Sequence, residues 1–134
     1  MNRKQEVEMS TNRSGRLTAD VITDDGLLEF RVTQGLFCYD RPGLHCIEAN
    51  DGQGKEFYVN LPVGVESGRF SLGLSERSPM IIHVTGSSEA ELYRGRLELT
   101  VGGDAQFAGR FSGTDADGLE VSNGSFRLEH DASA

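Results

Sequence analysis

Two acidic turns are the first stretches of this chain whose residue types could do chemistry. Asp115-Ala116-Asp117-Gly118 with Glu120 opens like a calcium-binding loop, and Asp24-Asp25-Gly26 carries a similar pair of carboxylates. An EF-hand also needs ligands at its fifth and twelfth positions and a helix on each side. Neither stretch supplies them, so both read as turns, in which Asp bonds its own backbone and Gly takes positive φ. Asp115 and Asp117 remain the one candidate pair for a weak Ca²⁺ site. The three histidines, His45, His83 and His130, have no i, i+4 or Cys-x-x-Cys partner, so no zinc site is written in their spacing. His83 stands in an apolar run and reads as a hydrogen-bonded core or edge histidine.

Nucleophiles fare no better. Ser112 misses the Gly-x-Ser-x-Gly pattern because Arg110 occupies the first glycine position. Gly52-Gln53-Gly54-Lys55 lacks the spacing and the following helix of a phosphate-binding loop, and reads as a hairpin turn. Cys38 could meet His45 across a hairpin, but a free cysteine usually behaves as a small buried hydrophobe. Asn123-Gly124-Ser125 matches a glycosylation acceptor that a cytoplasmic bacterial-type chain does not use. A hydrolase would need a concave pocket gathering at least two titratable groups, and no motif announces one. The expectation is a protein without enzymatic chemistry and without a cofactor.

The residues best suited to recognition are Phe37, Tyr39, Arg41, Tyr58 and Tyr93, because exposed tyrosine and arginine are the usual anchors of interfaces. Tyr39 and Arg41 fall at the tip of a predicted hairpin and are the expected contact with a partner. Tyr39, Tyr58 and Tyr93 could alternatively form a stacking platform for a sugar or another small ligand, while Phe37 and Tyr58 compete for places in the core.

These residues must be positioned by strands. Phe107 to Ser112 and Leu119 to Leu128 alternate apolar and polar residues on either side of the Asp115 to Gly118 turn, the period-2 signature of a hairpin. The same grammar runs upstream. Leu17, Ala19 and Val21 form an inward set, as do Leu28, Phe30 and Val32, then Phe57, Val59 and Leu61 up to Pro62. Phe70, Leu72 and Leu74 make a further strand, and Ile81 to Thr85 a short apolar one. A loop of Gly103-Asp104-Ala105 pairs Val101 with Phe107, Leu97 with Phe111 and Glu98 with Arg110. That charge pairing favours the register by roughly 0.2 to 1 kcal/mol. The inward set changes parity between Val121 and Phe126, which predicts a β-bulge at Asn123-Gly124 with Gly124 at positive φ. A tight turn at Pro42-Gly43 sets Cys38 opposite Ile47 and puts the two thiols on different faces, so both read as free.

A chain of 134 residues makes one domain, able to bury roughly two thirds of its unfolded surface without disulfide or metal. Seventeen glycines, three prolines and no tryptophan suit short strands joined by tight turns. The expected fold is an all-β antiparallel β-sandwich, with a small β-barrel as runner-up, of roughly seven to nine strands over residues 15–131. Residues 1–14 show no sustained period and are expected to form a disordered arm. They also contain no apolar signal region, so the chain reads as cytoplasmic, with periplasmic or surface placement open to a longer native chain. A net charge of −8 and a pI near 4.8 repel phosphate backbones and attract basic partners. The acidity lies beyond residue 16, since residues 1–16 hold four basic residues against two acidic ones.

From Leu44 to Leu128 the order of features resembles a family of small all-β bacterial proteins of unknown function, many of them called lipoproteins. The similar pieces are Ile47-Glu48-Ala49-Asn50-Asp51-Gly52-Gln53-Gly54-Lys55, Val59-Asn60-Leu61-Pro62, Gly68-Arg69-Phe70-Ser71-Leu72, Tyr93 ahead of Gly95-Arg96-Leu97-Glu98-Leu99-Thr100, Gly109-Arg110-Phe111-Ser112-Gly113, and Asn123-Gly124-Ser125-Phe126. The resemblance implies an all-β fold and no catalytic residues. The chain departs from it in having no export signal and no lipid-attachment cysteine near the start. Together these readings point to an acidic binding protein of the immunity or inhibitor type, which meets a basic protein partner but neither nucleic acid nor membrane. An exposed edge strand offers a route to a homodimer. A lipoprotein-like ligand-binding module is the alternative.

Overall fold

Alternating side chains build strands throughout the residues that the computed structural model describes, 11–73 and 78–131, and no helix appears among them. The described residues form eleven strands: β1 (Thr11–Arg13), β2 (Gly15–Thr23), β3 (Gly26–Val32), β4 (Leu36–Arg41), β5 (Leu44–Asn50), β6 (Lys55–Pro62), β7 (Gly68–Leu72), β8 (Met80–Thr85), β9 (Ser88–Val101), β10 (Phe107–Asp115) and β11 (Glu120–Leu128). Every pairing is antiparallel, in the order β1-β4-β5-β6-β8-β9-β10-β11-β2-β3, with β7 also on β9. The expected sandwich of seven to nine strands is thereby corrected to eleven strands in one antiparallel sheet curled into a half-barrel. Two separate sheets do not form because long strands run from one part of the surface into the other.

Two bends carry the curl. At the first, β1 continues into β2 through Ser14, and β3 into β4 through Thr33 to Gly35. Arg13↔Leu36 and Leu17↔Val32 lie on a single antiparallel alignment, and the Gly35 amide donates to the Gly15 carbonyl at 3.2 Å. The four strands are therefore one long bent hairpin. Gly15 is required there, since a Cβ would stand 2.5 Å from the Arg127 carbonyl oxygen. The second bend is in β9, whose Ser88–Glu91 pairs with β8 while its later residues pair with β10 and β7. The β10 register shifts between Thr114 and Asp115, leaving Tyr93 as an extra residue. This bulge switches the inward set from Ala90 and Leu92 to Leu97 and Leu99. The bends divide the sheet into a first leaf (β1, β4, β5, β6, β8 and the start of β9) and a second leaf (β7, the rest of β9, β10, β11, β2 and β3).

The inward triplets Leu17, Ala19, Val21 and Phe57, Val59, Leu61 are fully buried. Phe57 stands at the centre, edge-on to Phe30 at 5.0 Å and 5.9 Å from Phe111, which in turn lies 6.4 Å from Phe126. Offset and edge-on contacts of this kind add to what their buried area contributes. The β9–β10 register is the expected one, with Val101↔Phe107, Leu97↔Phe111 and Glu98↔Arg110. Pro42-Gly43 forms the expected turn, with Gly43 at φ 82°, and Cys38 faces Ile47, leaving both thiols free.

The predicted bulge in β11 is present, as both neighbouring strands slip there. The left-handed residue is Asn123, at φ 54°, and not Gly124. Asparagine tolerates this conformation better than most residues, and here its side-chain amide donates to Asp20 Oδ2 at 3.0 Å. Gly124 answers a different need, since a Cβ there would lie 2.4 Å from the Phe111 ring.

At the end of the segment expected as an N-terminal arm, Thr11–Arg13 pair with β4, and the Arg13 guanidinium bonds Gln106 Oε1 and, at 2.7 Å, the Glu129 carbonyl. Residues 1–10 and Leu74 lie outside the described residues. Among the described residues no helix is long and apolar enough to cross a membrane.

Candidate functional site

The polar pair most deeply set in the core joins β8 to β10. His83 shares inward parity with Ile81, and Asp115 shares it with Phe107 and Phe111, so alternation delivers both to the interior. His83 Nδ1 lies 2.9 Å from Asp115 Oδ2, with the two side chains 1% and 0% exposed. Asp115 Oδ1 accepts the backbone amides of Asp117 and Leu119, both at 2.9 Å. With Oδ1 committed to two amides, Oδ2 is left to face the imidazole, and the tautomer with its proton on Nδ1 satisfies that contact. The imidazole stacks on Phe57 at 4.8 Å, and its Nε2 is buried with no partner. The pair thus pins the β10–β11 turn to the core and presents no reactive atom to solvent. The sequence signal for it is the shared inward parity of His83 with Ile81 and of Asp115 with Phe111.

Asp117 of the candidate calcium pair turns away, accepting the Ser88 hydroxyl at 2.7 Å. Among the described residues no three His, Cys, Asp or Glu side chains gather closely enough to hold a metal ion. Cys38 and Cys46 are buried, and desolvation raises both thiols, Cys38 to about 11, so they stay protonated and poorly nucleophilic at neutral pH. His45 is engaged elsewhere, its Nδ1 3.0 Å from Asp40 Oδ1 and its ring 5.6 Å from Phe107.

The recognition residues lie on the outer side of the first leaf. Cross-strand register lines up Phe37, Glu48, Tyr58, Ile82 and Glu91 in one row. Beside it run Tyr39, Cys46, Asn60 and Met80, and on the other flank Asn50, Glu56, Val84 and Glu89. Four carboxylates therefore share this side with aromatic and aliphatic groups. The Tyr39 hydroxyl donates to Glu48 Oε2 at 2.7 Å, and the Arg41 guanidinium sits 5.5 Å from the Tyr39 ring centre. Burial first, then the Glu48 bond and charge, push the Tyr39 phenol up to about 12. Tyr58 is raised as well, by burial and then by the charges of Glu56, Glu48 and Glu89.

Tyr39, Arg41 and Tyr58 are thus on one face, as a contact surface requires. Tyr93 is 43% exposed at the β9 bulge, two positions beyond Glu91, with Arg94 5.6 Å from its ring centre. Three depressions on the surface are lined by other residues, at the β6–β7 loop, at the Thr33 to Gly35 bend near Asn50, and over Ala108. Tyr39, with one ring face under Arg41 and its hydroxyl engaged, has little left for stacking a sugar. Comparison with known proteins returned no match: no family model, no curated protein and no solved structure is similar to the chain.

Proposed function

We propose that this chain is a non-enzymatic binding protein, of the immunity or inhibitor kind, whose acidic and aromatic face on the first leaf receives a basic protein partner. The observation that carries the reading is geometric: register crowds Glu48, Glu56, Glu89 and Glu91 around Tyr58 and Ile82 on one outward face, and the Tyr58 phenol is raised by burial first and then by the charges of Glu56, Glu48 and Glu89. Lysine or arginine side chains of a partner would relieve that crowding, lying along Phe37, Tyr58 and Ile82 while their charged ends meet the carboxylates. The Arg41 guanidinium on Tyr39 makes the same contact within the chain. Complementary charge of this sort acts mainly on the association rate and makes it sensitive to salt.

The test uses a short arginine-rich peptide as probe, with association measured by stopped-flow tyrosine fluorescence at low and high salt. The expected result is an association rate that falls roughly tenfold or more over that range. The triple variant Glu48→Gln, Glu56→Gln, Glu89→Gln should abolish most of the salt dependence. An association rate indifferent to salt, or unchanged in that variant, would refute the proposal.

A further inference from the structure

The second leaf has the opposite surface. Its outward side chains include Arg16 on β2, Arg69 on β7, Arg94 and Arg96 on β9, Arg110 on β10 and Arg127 on β11. Thr100, Ala108, Arg127 and Arg16 form one cross-strand row, and Glu98, Arg110 and Ser125 form the next. Ala108 is the small residue among long ones, and over it opens a shallow depression of about 240 Å³ walled by Arg16, Arg110, Arg127, Thr100 and Ser125, with Glu98 also at its edge. The counter-charges do not balance. Glu98 serves two cations, Arg69 at 3.5 Å and Arg110 at 3.8 Å, while Arg127 holds Glu129 at 2.6 Å. Arg16 makes no ion pair among the described residues. With Asp104, whose charge also acts on Arg127, four guanidiniums face three carboxylates, a local excess of one positive charge in a chain of net charge −8.

We propose that this depression binds a tetrahedral oxyanion, a phosphate or sulfate group, either free or as the monoester of a small molecule. A guanidinium presents paired N–H donors that match two oxygens of such a group. Arg16 and Arg110 supply forks not saturated by carboxylate, and the Thr100 and Ser125 hydroxyls can donate to the remaining oxygens. The Ala108 methyl leaves the room above the sheet that a longer side chain would fill. The site faces away from the acidic surface of the first leaf and does not depend on the partner proposed for it.

The experiment follows backbone amide and arginine Nε NMR signals of the whole chain during titration with sodium phosphate, sodium sulfate, phenyl phosphate, acetate and chloride at constant ionic strength. Saturable shifts at Thr100, Ala108, Ser125 and Arg127 are expected with phosphate and sulfate and not with chloride or acetate. Tighter binding of phenyl phosphate than of phosphate assigns the site to an ester; equal or weaker binding assigns it to the free anion. Arg16→Gln should weaken binding roughly fivefold, and Ala108→Leu should remove it. Arg41→Gln, on the other leaf, should leave it intact. Thermal melts without anion establish that each variant is folded. Shifts that grow linearly with added salt, that chloride reproduces, or that persist in Ala108→Leu would overturn the proposal.

Discussion

Replacing Asp115 by alanine should be among the most damaging single changes in this protein, far beyond what loss of a surface turn residue would cost. The side chain accepts three bonds: two half-buried amides, of Asp117 and Leu119, and the buried His83 imidazole. Losing the charged acceptor leaves His83 with neither ring nitrogen partnered, because Nε2 already has none. Stranding a buried donor that had a charged partner costs about 3 kcal/mol. The two amides, which water can reach, add about 1 kcal/mol. The sum of about 4 kcal/mol corresponds to a fall in Tm of about 15 °C for a chain of this length. His83→Phe should be somewhat milder, about 3 kcal/mol, since it strands Asp115 Oδ2 but keeps the ring on Phe57, removes the orphaned Nε2 and leaves Oδ1 its two amides. Urea denaturation of both single variants and the double variant closes the cycle, with a coupling of about 2 kcal/mol expected. If Asp115→Ala fails to fold, Asp115→Asn, which keeps an oxygen for the amides, provides the second measurement. A loss below about 1.5 kcal/mol for Asp115→Ala, or effects that simply add, would refute the reasoning.

Two further outcomes follow from the geometry. The Tyr39 phenol, ordinarily near 10, is held up to about 12. Between those values the unfolded chain releases its proton while the folded chain keeps it, so stability is full below pH 10 and falls as pH rises through that window. Ultraviolet titration should show this late phenol, and Glu48→Gln should bring it down; a titration unchanged in that variant would remove Glu48 as a cause. At the β11 bulge, Gly124→Ala should cost about 2 kcal/mol in urea denaturation, because Phe111 is hemmed in by Phe57 and Phe126 and cannot give way. Asn123→Val should cost at least about 1 kcal/mol through its left-handed backbone, with Asn123→Gly the milder change. Equal tolerance of Asn123→Val and Asn123→Gly would contradict that assignment.

Where pairing was local, the residues announced it. The β10–β11 hairpin, the Val101↔Phe107 register and the Pro42-Gly43 turn all join neighbours in sequence, and each needed only a short loop of recognisable chemistry. The positions that escaped depend on distant partners. Thr11–Arg13 show no apolar alternation and become a strand because the β4 edge receives them. Ser88-Glu89-Ala90-Glu91 is poor in β-branched and aromatic residues, yet it extends β9 because β8 lies alongside. The bulge at Asn123 was legible as a change of parity, but its left-handed residue was not, since glycine is the usual occupant and the competing demand came from the Phe111 ring across the sheet. Tyr39, Arg41 and Tyr58 were found by type alone. That Glu48, Glu56, Glu89 and Glu91 surround them emerges only when four strands are set in register.

The same bulge that bends the sheet also decides where charge changes sign. Along β9 the outward residues are first Glu89 and Glu91, on the acidic face, then Arg94 and Arg96 on the arginine-bearing one, with Tyr93 inserted between the two sets. Without an extra residue there, strict alternation would keep Ala90 and Leu92 on the same side as Arg94 and Arg96, driving guanidiniums toward the core. The parity shift therefore does two things in a single step, keeping Leu97 and Leu99 inside as the strand turns and exporting both arginines to the second leaf. Gly95 and Gly113 complete it, facing each other so closely that a Cβ on either would strike the opposite backbone at 2.4 to 2.6 Å. Segregation of the two surfaces is thus a consequence of how the sheet turns its corner, and each face presents its charges on paired strands within a rigid ladder. Such placement is what recognition by charge needs, since groups already held in position lose little freedom on binding.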